Sequence, residues 1–365
     1  MILSIIVFLL VLGVLVFVHE LGHFMVAKWT GMRVDEFALG FPPRIWSIKR
    51  GDTRYAINAL PLGGYVKIHG ESAKGEEPDP RAFPNRPIWA RILVIIAGVS
   101  MNVLFAFLVL TIAYSIGFPS LGPDIDSLPG AVVQKSDVLV SEVLPGSPAE
   151  TAKVKAGEII RSFTDKQTGQ VTVIDSVSKL QSFTKERQTA DKRTLDVTVD
   201  DNGTLTTVPV TIAASGPAMG VAVEDLNQIR LPVWQAPRAA YSVMSYVTST
   251  TWEALRQFGV QLFGHAQLDK QVSGPVGIYK ATSAATHEGF PSVVFLTVAL
   301  SLNLALLNIM PIPALDGGKL VFLVIELIFR KRVVSEQIEN AVTSIGFILL
   351  IGLITVLTLR DVGLF

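Results

Sequence analysis

Cysteine is absent from all 365 positions, charge is sparse, and neither sign of charge predominates. The first absence excludes disulfides and thiolate ligands, so any metal must be held by nitrogen and oxygen. Charged residues make up 17% of the chain against roughly 25% in soluble domains, whereas hydrophobic residues reach 50%, a balance that points to a membrane. With 31 basic and 31 acidic residues the chain offers no electrostatic footprint for nucleic acid, and none is expected as a partner. Histidine is scarce as well, at five. Two of the five stand together inside the first apolar run, as His19-Glu20-Leu21-Gly22-His23.

That run, residues 2–27, is broken only by His19, Glu20 and His23, and about 20 apolar residues suffice to cross a bilayer. It has no basic leader and continues unbroken through its apolar core, so a retained transmembrane helix is expected rather than a cleaved signal. Residues 88–116, 291–310 and 341–359 supply three more spans. Eleven Lys and Arg lie from Lys28 to Arg91, and Lys319, Arg330, Lys331 and Arg332 lie between the third and fourth spans. The positive-inside rule puts both loops in the cytoplasm and both termini outside.

In a helix, His19 and His23 lie one above the other and can reach one metal ion, with Glu20 beside them. A charge at mid-bilayer costs roughly 2.5–3.5 kcal/mol, so Glu20 reads as chemistry: a base that takes a proton from water attacking a carbonyl. Helix-packing histidines with Glu20 bonded between helices are the alternative. A third ligand is needed, and Asp316 is the best candidate, in Asn308-Ile-Met-Pro311-Ile-Pro313-Ala-Leu315-Asp316-Gly317-Gly318. Two prolines and two glycines break the third span there, and freed carbonyls must face protein or a watery cavity. A plain turn with Asp316 capping the next helix at Gly317 is the other reading. Depth favours the site: His19 and His23 lie roughly 7–14 Å inside the cytoplasmic end of the first helix, and Asp316 falls at the same level.

The HExGH on the first span, the NxxPxPxLDGG stretch and the Gly98-Val-Ser-Met-Asn102 run together resemble the site-2 protease family, in its bacterial sigma-E regulator branch. The resemblance covers nearly the whole chain. It implies one Zn2+ held by His19, His23 and Asp316, Glu20 as general base, and Asn308 as a residue that holds substrate or its oxyanion. It also implies a multi-pass protein of the bacterial cytoplasmic (inner) membrane. That protein would cut within the transmembrane segments of single-span proteins such as anti-sigma factors or remnant signal peptides.

Arg54–Ile57 and Tyr65–Ile68 read as short strands joined through Asn58-Ala-Leu-Pro-Leu-Gly63-Gly64, a small sheet or re-entrant hairpin near the site. A helical substrate must become extended before its carbonyl is free, and an exposed strand edge could hold it so. Gly63 and Gly64 are therefore expected beside bound substrate; a solvated hairpin without such contact is the plainer alternative.

Residues 122–231 turn polar, and Val138–Val143, a turn at Leu144-Pro-Gly-Ser-Pro148, a short helix from Ala149 and a strand at Ile159–Phe163 follow in the order of a PDZ domain. The resemblance implies a single such domain, extracytoplasmic, either capturing a peptide or periplasmic segment or only excluding bulky clients. Residues 233–263 suit an interfacial helix or one packed on its own soluble domain. His69, His265 and His287 fall in polar or loop sequence and are set aside as ligands.

The expected fold is an α-helical polytopic membrane protein of four transmembrane helices, with a membrane-associated β-hairpin or sheet and an inserted PDZ-like α+β domain. Its divisions are 1–121, 122–231, 232–290 and 291–365. The expected function is zinc-dependent intramembrane endopeptidase. A metal transporter using the same ligands and an inactive protease-like scaffold that binds transmembrane clients are the alternatives.

Overall fold

A computed structural model describes residues 2–71, 78–121, 125–166, 168–189, 194–201, 203–213, 216–265 and 272–364. Along the chain these form α1 (Ile2–Trp29), β1 (Val34–Arg50), β2 (Thr53–Ile68), α2 (Ile88–Ile116), β3 (Phe118–Pro119), β4 (Val132–Val143), α3 (Pro148–Thr151), β5 (Ile159–Asp165) and β6 (Val171–Val173). They continue as α4 (Val177–Thr189), β7 (Thr194–Asp201), β8 (Thr204–Thr211), β9 (Val221–Arg230), α5 (Ala236–His265), α6 (Pro275–Glu288), α7 (Phe290–Ile309), α8 (Asp316–Phe329) and α9 (Glu336–Asp361). Residues 1–110 with 243–365 make one compact unit and residues 111–242 another.

In the first unit, α1, α2, α7 and α9 are long and apolar enough to cross a membrane, and they match the four expected spans within a few residues. Their outer faces carry Leu3, Leu10, Leu104, Ile112, Ile348 and Leu349 exposed. Apolar side chains belong outside only where lipid replaces water, so this surface and the helix lengths describe a membrane protein. Residues 264–290, read from sequence as linker, contain α6. Pro275 opens it at a position where a missing amide hydrogen is harmless, and the Asp361 carboxylate accepts from the amides of Gly274 and Gly277 at 2.8 and 2.9 Å.

The third span breaks where its prolines required. α7 ends at Ile309, Met310 turns extended, and α8 restarts at Asp316. Between them Ala314 adopts φ +79°, an uncommon conformation for a residue with a Cβ. The glycines that follow make room for this turn. A Cβ at Gly317 would run into the Met310 and Ile309 carbonyls, and one at Gly318 would come within 2.5 Å of the Ile312 carbonyl oxygen.

The small sheet differs in connectivity from the sequence expectation. Arg54–Ile57 and Tyr65–Ile68 do not pair with each other; both lie on β2 and flank the first half of β1. Phe37 pairs with Val66 on one side and Tyr55 on the other, and Leu39 with Gly64 and Ile57. Pairs Glu36↔Arg54 to Leu39↔Ile57 rise in step, so this central contact runs parallel, whereas Phe37↔Val66 to Leu39↔Gly64 run antiparallel. The second half of β1 returns beside β2 as far as Arg50↔Thr53. Residues 64–68 thereby become an edge run.

The second unit holds a seven-stranded sheet in the order β3-β9-β4-β5-β7-β8, with β6 paired to β5. Alternation shapes it: Leu195, Val197 and Val199 of β7 are buried on one face and meet Val138, Val140, Ile160 and Phe163, with Leu180 of α4 closing the core. The expected strands at 138–143 and 159–163 lie within β4 and β5, and Ser147 caps α3 by accepting from the Glu150 amide at 3.2 Å.

Candidate metal centre

Helical spacing on α1 sets His19 and His23 on successive turns with their rings edge to face, centroids 4.8 Å apart, and both side chains buried. Their Nε2 atoms are 3.2 Å apart and each lies 3.1 Å from Oδ2 of Asp316, which the broken span delivers from α8. Asp316 is the first residue of α8, with Leu315 in the capping position, so its carboxylate is not spent on the cap. Among the described residues, the groups that face the buried Oδ2 of Asp316 at hydrogen-bond distance are these two ring nitrogens. Zinc sits about 2.0–2.2 Å from nitrogen and carboxylate ligands, so two ligands of a tetrahedral ion stand about 3.3 Å apart. Three separations of 3.1–3.2 Å match that edge, and a buried carboxylate oxygen aimed at two imidazole nitrogens has the chemistry of a cation site.

Glu20 stands beside the three. Its Oε2 accepts from the amide of Val66 at 3.0 Å, which ties the carboxylate to the edge run of β2. The parity of that run follows: the Val66 amide points outward to the site, whereas the His69 amide bonds inward to the Arg33 carbonyl at 2.9 Å. Gly64 shares the outward parity, and a Cβ there would meet the Ala38 carbonyl at 2.8 Å and Glu20 Cγ at 3.7 Å. Gly63 packs instead under the Phe41 ring. A cavity of 180 Å³ is lined by His19, Glu20, His23, Tyr65, Val66, Ile68, Glu71, Val94, Ile95, Asp316 and Lys319. Asn308, expected here, is buried in the last turn of α7 and is not among those lining residues.

The surroundings contribute groups to which the sequence assigned no role at the site. Lys319, one turn beyond Asp316, donates to Glu71 at 2.6 Å at the cavity wall. His23 Nδ1 reaches the Val94 carbonyl at 2.8 Å, and His19 Nδ1 faces the Asn102 side chain. Gly22 and Gly98 let α1 and α2 approach at the site. A Cβ on Gly22 would fall onto the Ala97 carbonyl, and one on Gly98 would fall onto His23 Nε2 and within 2.8 Å of His19 Cε1. The signal was present as glycine in both motifs, but its meaning depends on which helices cross. His69 bonds to Asp35 at 2.9 Å and His287 to the Ser283 carbonyl at 2.6 Å, away from the cluster; the side chain of His265 lies outside the described residues.

Two histidines and a carboxylate on membrane helices, with a glutamate next in line, define the class of metal-dependent hydrolases built inside a bundle. A profile of Peptidase family M50 matches residues 7–353, and the chain belongs to that family of site-2 proteases. It is similar to proteins named "Putative zinc metalloprotease" in three organisms. Identity is 33% over 357 residues in Nostoc sp. (96% of this chain, 93% of the relative), and 31% over 368 residues in Clostridium acetobutylicum (98% and 97%). In Brucella suis it is 33% over 388 residues (98% and 94%).

Proposed function

We propose that this membrane peptidase is a zinc-dependent intramembrane endopeptidase. It hydrolyses bonds within the transmembrane segments of single-span proteins, anti-sigma factors or remnant signal peptides among them. The observation that carries the reading is the convergence of His19, His23 and Asp316, from helices far apart in sequence, beside Glu20 and an outward-facing strand edge. When bound, zinc supplies Lewis-acid polarisation of the scissile carbonyl and acidifies water. Glu20 takes a proton from the attacking water and returns it to the leaving amine. The Val66 amide holds Glu20 next to the strand edge, so the base and an added substrate strand share one face. Gly64 leaves that edge bare of a side chain near Glu20. Gly63 contributes by letting Phe41 close over the turn, and Asn308 orients substrate from the end of α7.

In this reading the protein lies in the bacterial cytoplasmic membrane with its termini outside, and the site opens toward the cytoplasm. Ile45, Trp46 and Ile48, exposed on β1, support a sheet that dips into lipid. Residues 122–231 form the extracytoplasmic PDZ-like domain, and Trp252 and Val260, exposed on α5, support an interfacial role for residues 232–290 between the membrane parts 1–121 and 291–365.

The test is cleavage of a single-span anti-sigma factor or signal-peptide remnant by detergent-purified protein, comparing parent, Glu20→Gln and a chelator-treated sample. Loss of product in the latter two, with metal retained by Glu20→Gln, supports the mechanism. Equal product in all three would sink it, and bound zinc with tight client capture but no product would favour a scaffold.

A further inference from the structure

We infer that Asn102 is a positioning residue for the metal centre: its side-chain oxygen accepts the Nδ1 proton of His19 and so fixes the ring in its metal-binding tautomer. The inference rests on the reading of His19 as a ligand.

A neutral imidazole has one protonated and one bare nitrogen. Both rings turn Nε2 toward Asp316, and a nitrogen that ligates a metal there must be bare, which leaves the proton of each ring on Nδ1. For His23 the acceptor is evident, the Val94 carbonyl at 2.8 Å. For His19 the group facing Nδ1 is the Asn102 carboxamide, whose Nδ2 is placed 3.4 Å away while Oδ1 has no hydrogen-bond partner among the described residues. In that orientation two donors face each other and a fully buried acceptor goes unused. Amide oxygen and nitrogen exchange places by a half turn, and the choice between them belongs to the hydrogen-bond network. Turning the amide sets Oδ1 against Nδ1–H and removes both conflicts at once.

The position is built for this role. Asn102 has no solvent exposure, and a carboxamide in the middle of an apolar helix is costly unless bonded. It lies four residues beyond Gly98 on α2, on the face turned to the histidines. Ser301 of α7, equally buried, donates to the Asn102 backbone carbonyl at 3.0 Å and holds α2 at that level. Three helices thus contribute in sequence: Ser301 steadies Asn102, Asn102 orients His19, and His19 faces Asp316.

Full-length detergent-purified parent, Asn102→Leu and Asn102→Asp proteins are compared for zinc dissociation constant by competition with a chromophoric chelator, and for the visible spectrum of the cobalt(II)-loaded forms. Asp offers an oxygen in either orientation and no N–H, so it separates the acceptor role from any donor role of the amide. The expected result is zinc binding weakened about 10–100-fold in Asn102→Leu, with an altered cobalt spectrum, and restored within about 3-fold in Asn102→Asp. Parent-like affinity in Asn102→Leu, or equal weakening in both variants, overturns the proposal in favour of ordinary helix packing. Should Asn102→Leu fail to fold, Asn102→Asp decides alone: near-parent affinity supports the acceptor role and a loss of 10-fold or more refutes it. A parent protein that binds no zinc would sink the metal-site reading itself, a failure distinct from that of Asn102.

Discussion

A cluster of buried or half-buried charge sits in each unit of the molecule, and the two serve opposite ends. In the β unit, Arg161 of β5 donates to Asp200 through Nε and Nη2 at 3.0 and 2.7 Å and to Asp137 through Nη1, while Lys135 reaches Asp137 at 2.7 Å. The Gly203 amide adds a bond to Asp200 at 2.7 Å. The acids there have their cations in the protein itself. In the membrane unit, Asp316 faces the Nε2 atoms of two histidines at 3.1 Å, and under the proposed function a cation from outside the chain completes the group. A self-satisfied cluster contributes stability, and one that needs a ligand contributes function. Buried charge alone does not distinguish them; the sign of the partners does.

Exchanging the acids tests this most sharply. Asp316→Ala is expected to bring zinc content close to zero and abolish cleavage, whereas Asp200→Ala leaves zinc content at the parent level and lowers only thermal stability. Metal analysis and melting curves on the same preparations check both. Next in size, Gly98→Ala places a methyl group against both imidazoles and is expected to weaken zinc binding at least 10-fold without altering the β unit. A parent-like zinc affinity there would mean that α2 does not press on the site.

Arg161→Met leaves Asp137 and Asp200 facing each other without their guanidinium. The expected cost is about 1–3 kcal/mol, toward the low end because the cluster is partly hydrated, and it is read as a lower midpoint in limited proteolysis of the β unit. The same variant changes the acid response. Arg161 holds the Asp200 carboxyl below its ordinary value, so as pH falls the unfolded chain takes up the proton first. Stability present above the ordinary carboxylate range is therefore lost as pH drops through the lower folded value. Acid unfolding followed by circular dichroism should be steeper in the parent than in Arg161→Met, and coincident curves would deny Asp200 this role. The smallest effect is expected from Ala314→Gly, which relieves the positive φ before Asp316 by about 1 kcal/mol and leaves cleavage within 2-fold. A larger loss would show that the strained turn aims the carboxylate.

Much of this was readable before any coordinate. Hydropathy located the four spans because lipid demands long apolar runs, and the i, i+4 spacing of His19 and His23 is a property of the helix itself. Asp316 could be brought to them by depth, since the count of residues to Lys28 and to Lys319 measures position along the membrane normal. The sheet was harder. Tyr65–Ile68 and Arg54–Ile57 have similar alternation, and nothing in alternation says that both flank Phe37 or that one pairing is parallel. The bond from the Val66 amide to Glu20 involves a backbone group that every residue but proline carries, so no letter announces it. Asn102 appeared in a recognisable run, yet only the fold puts a ring nitrogen of His19 opposite its side chain. Gly274-Pro275 is a fair helix start, but the longer apolar run that follows dominates the hydropathy around α6.

The glycine contact between α1 and α2 also bears on traffic. At the level of the histidines Gly22 lies against the Ala97 carbonyl and Gly98 against the two imidazoles, and both rings face groups on α2. Parting these helices to admit a client would pull His19 and His23 away from the groups that orient them. Under the proposed function that seam is a wall, and a transmembrane client would come in by another side of the bundle.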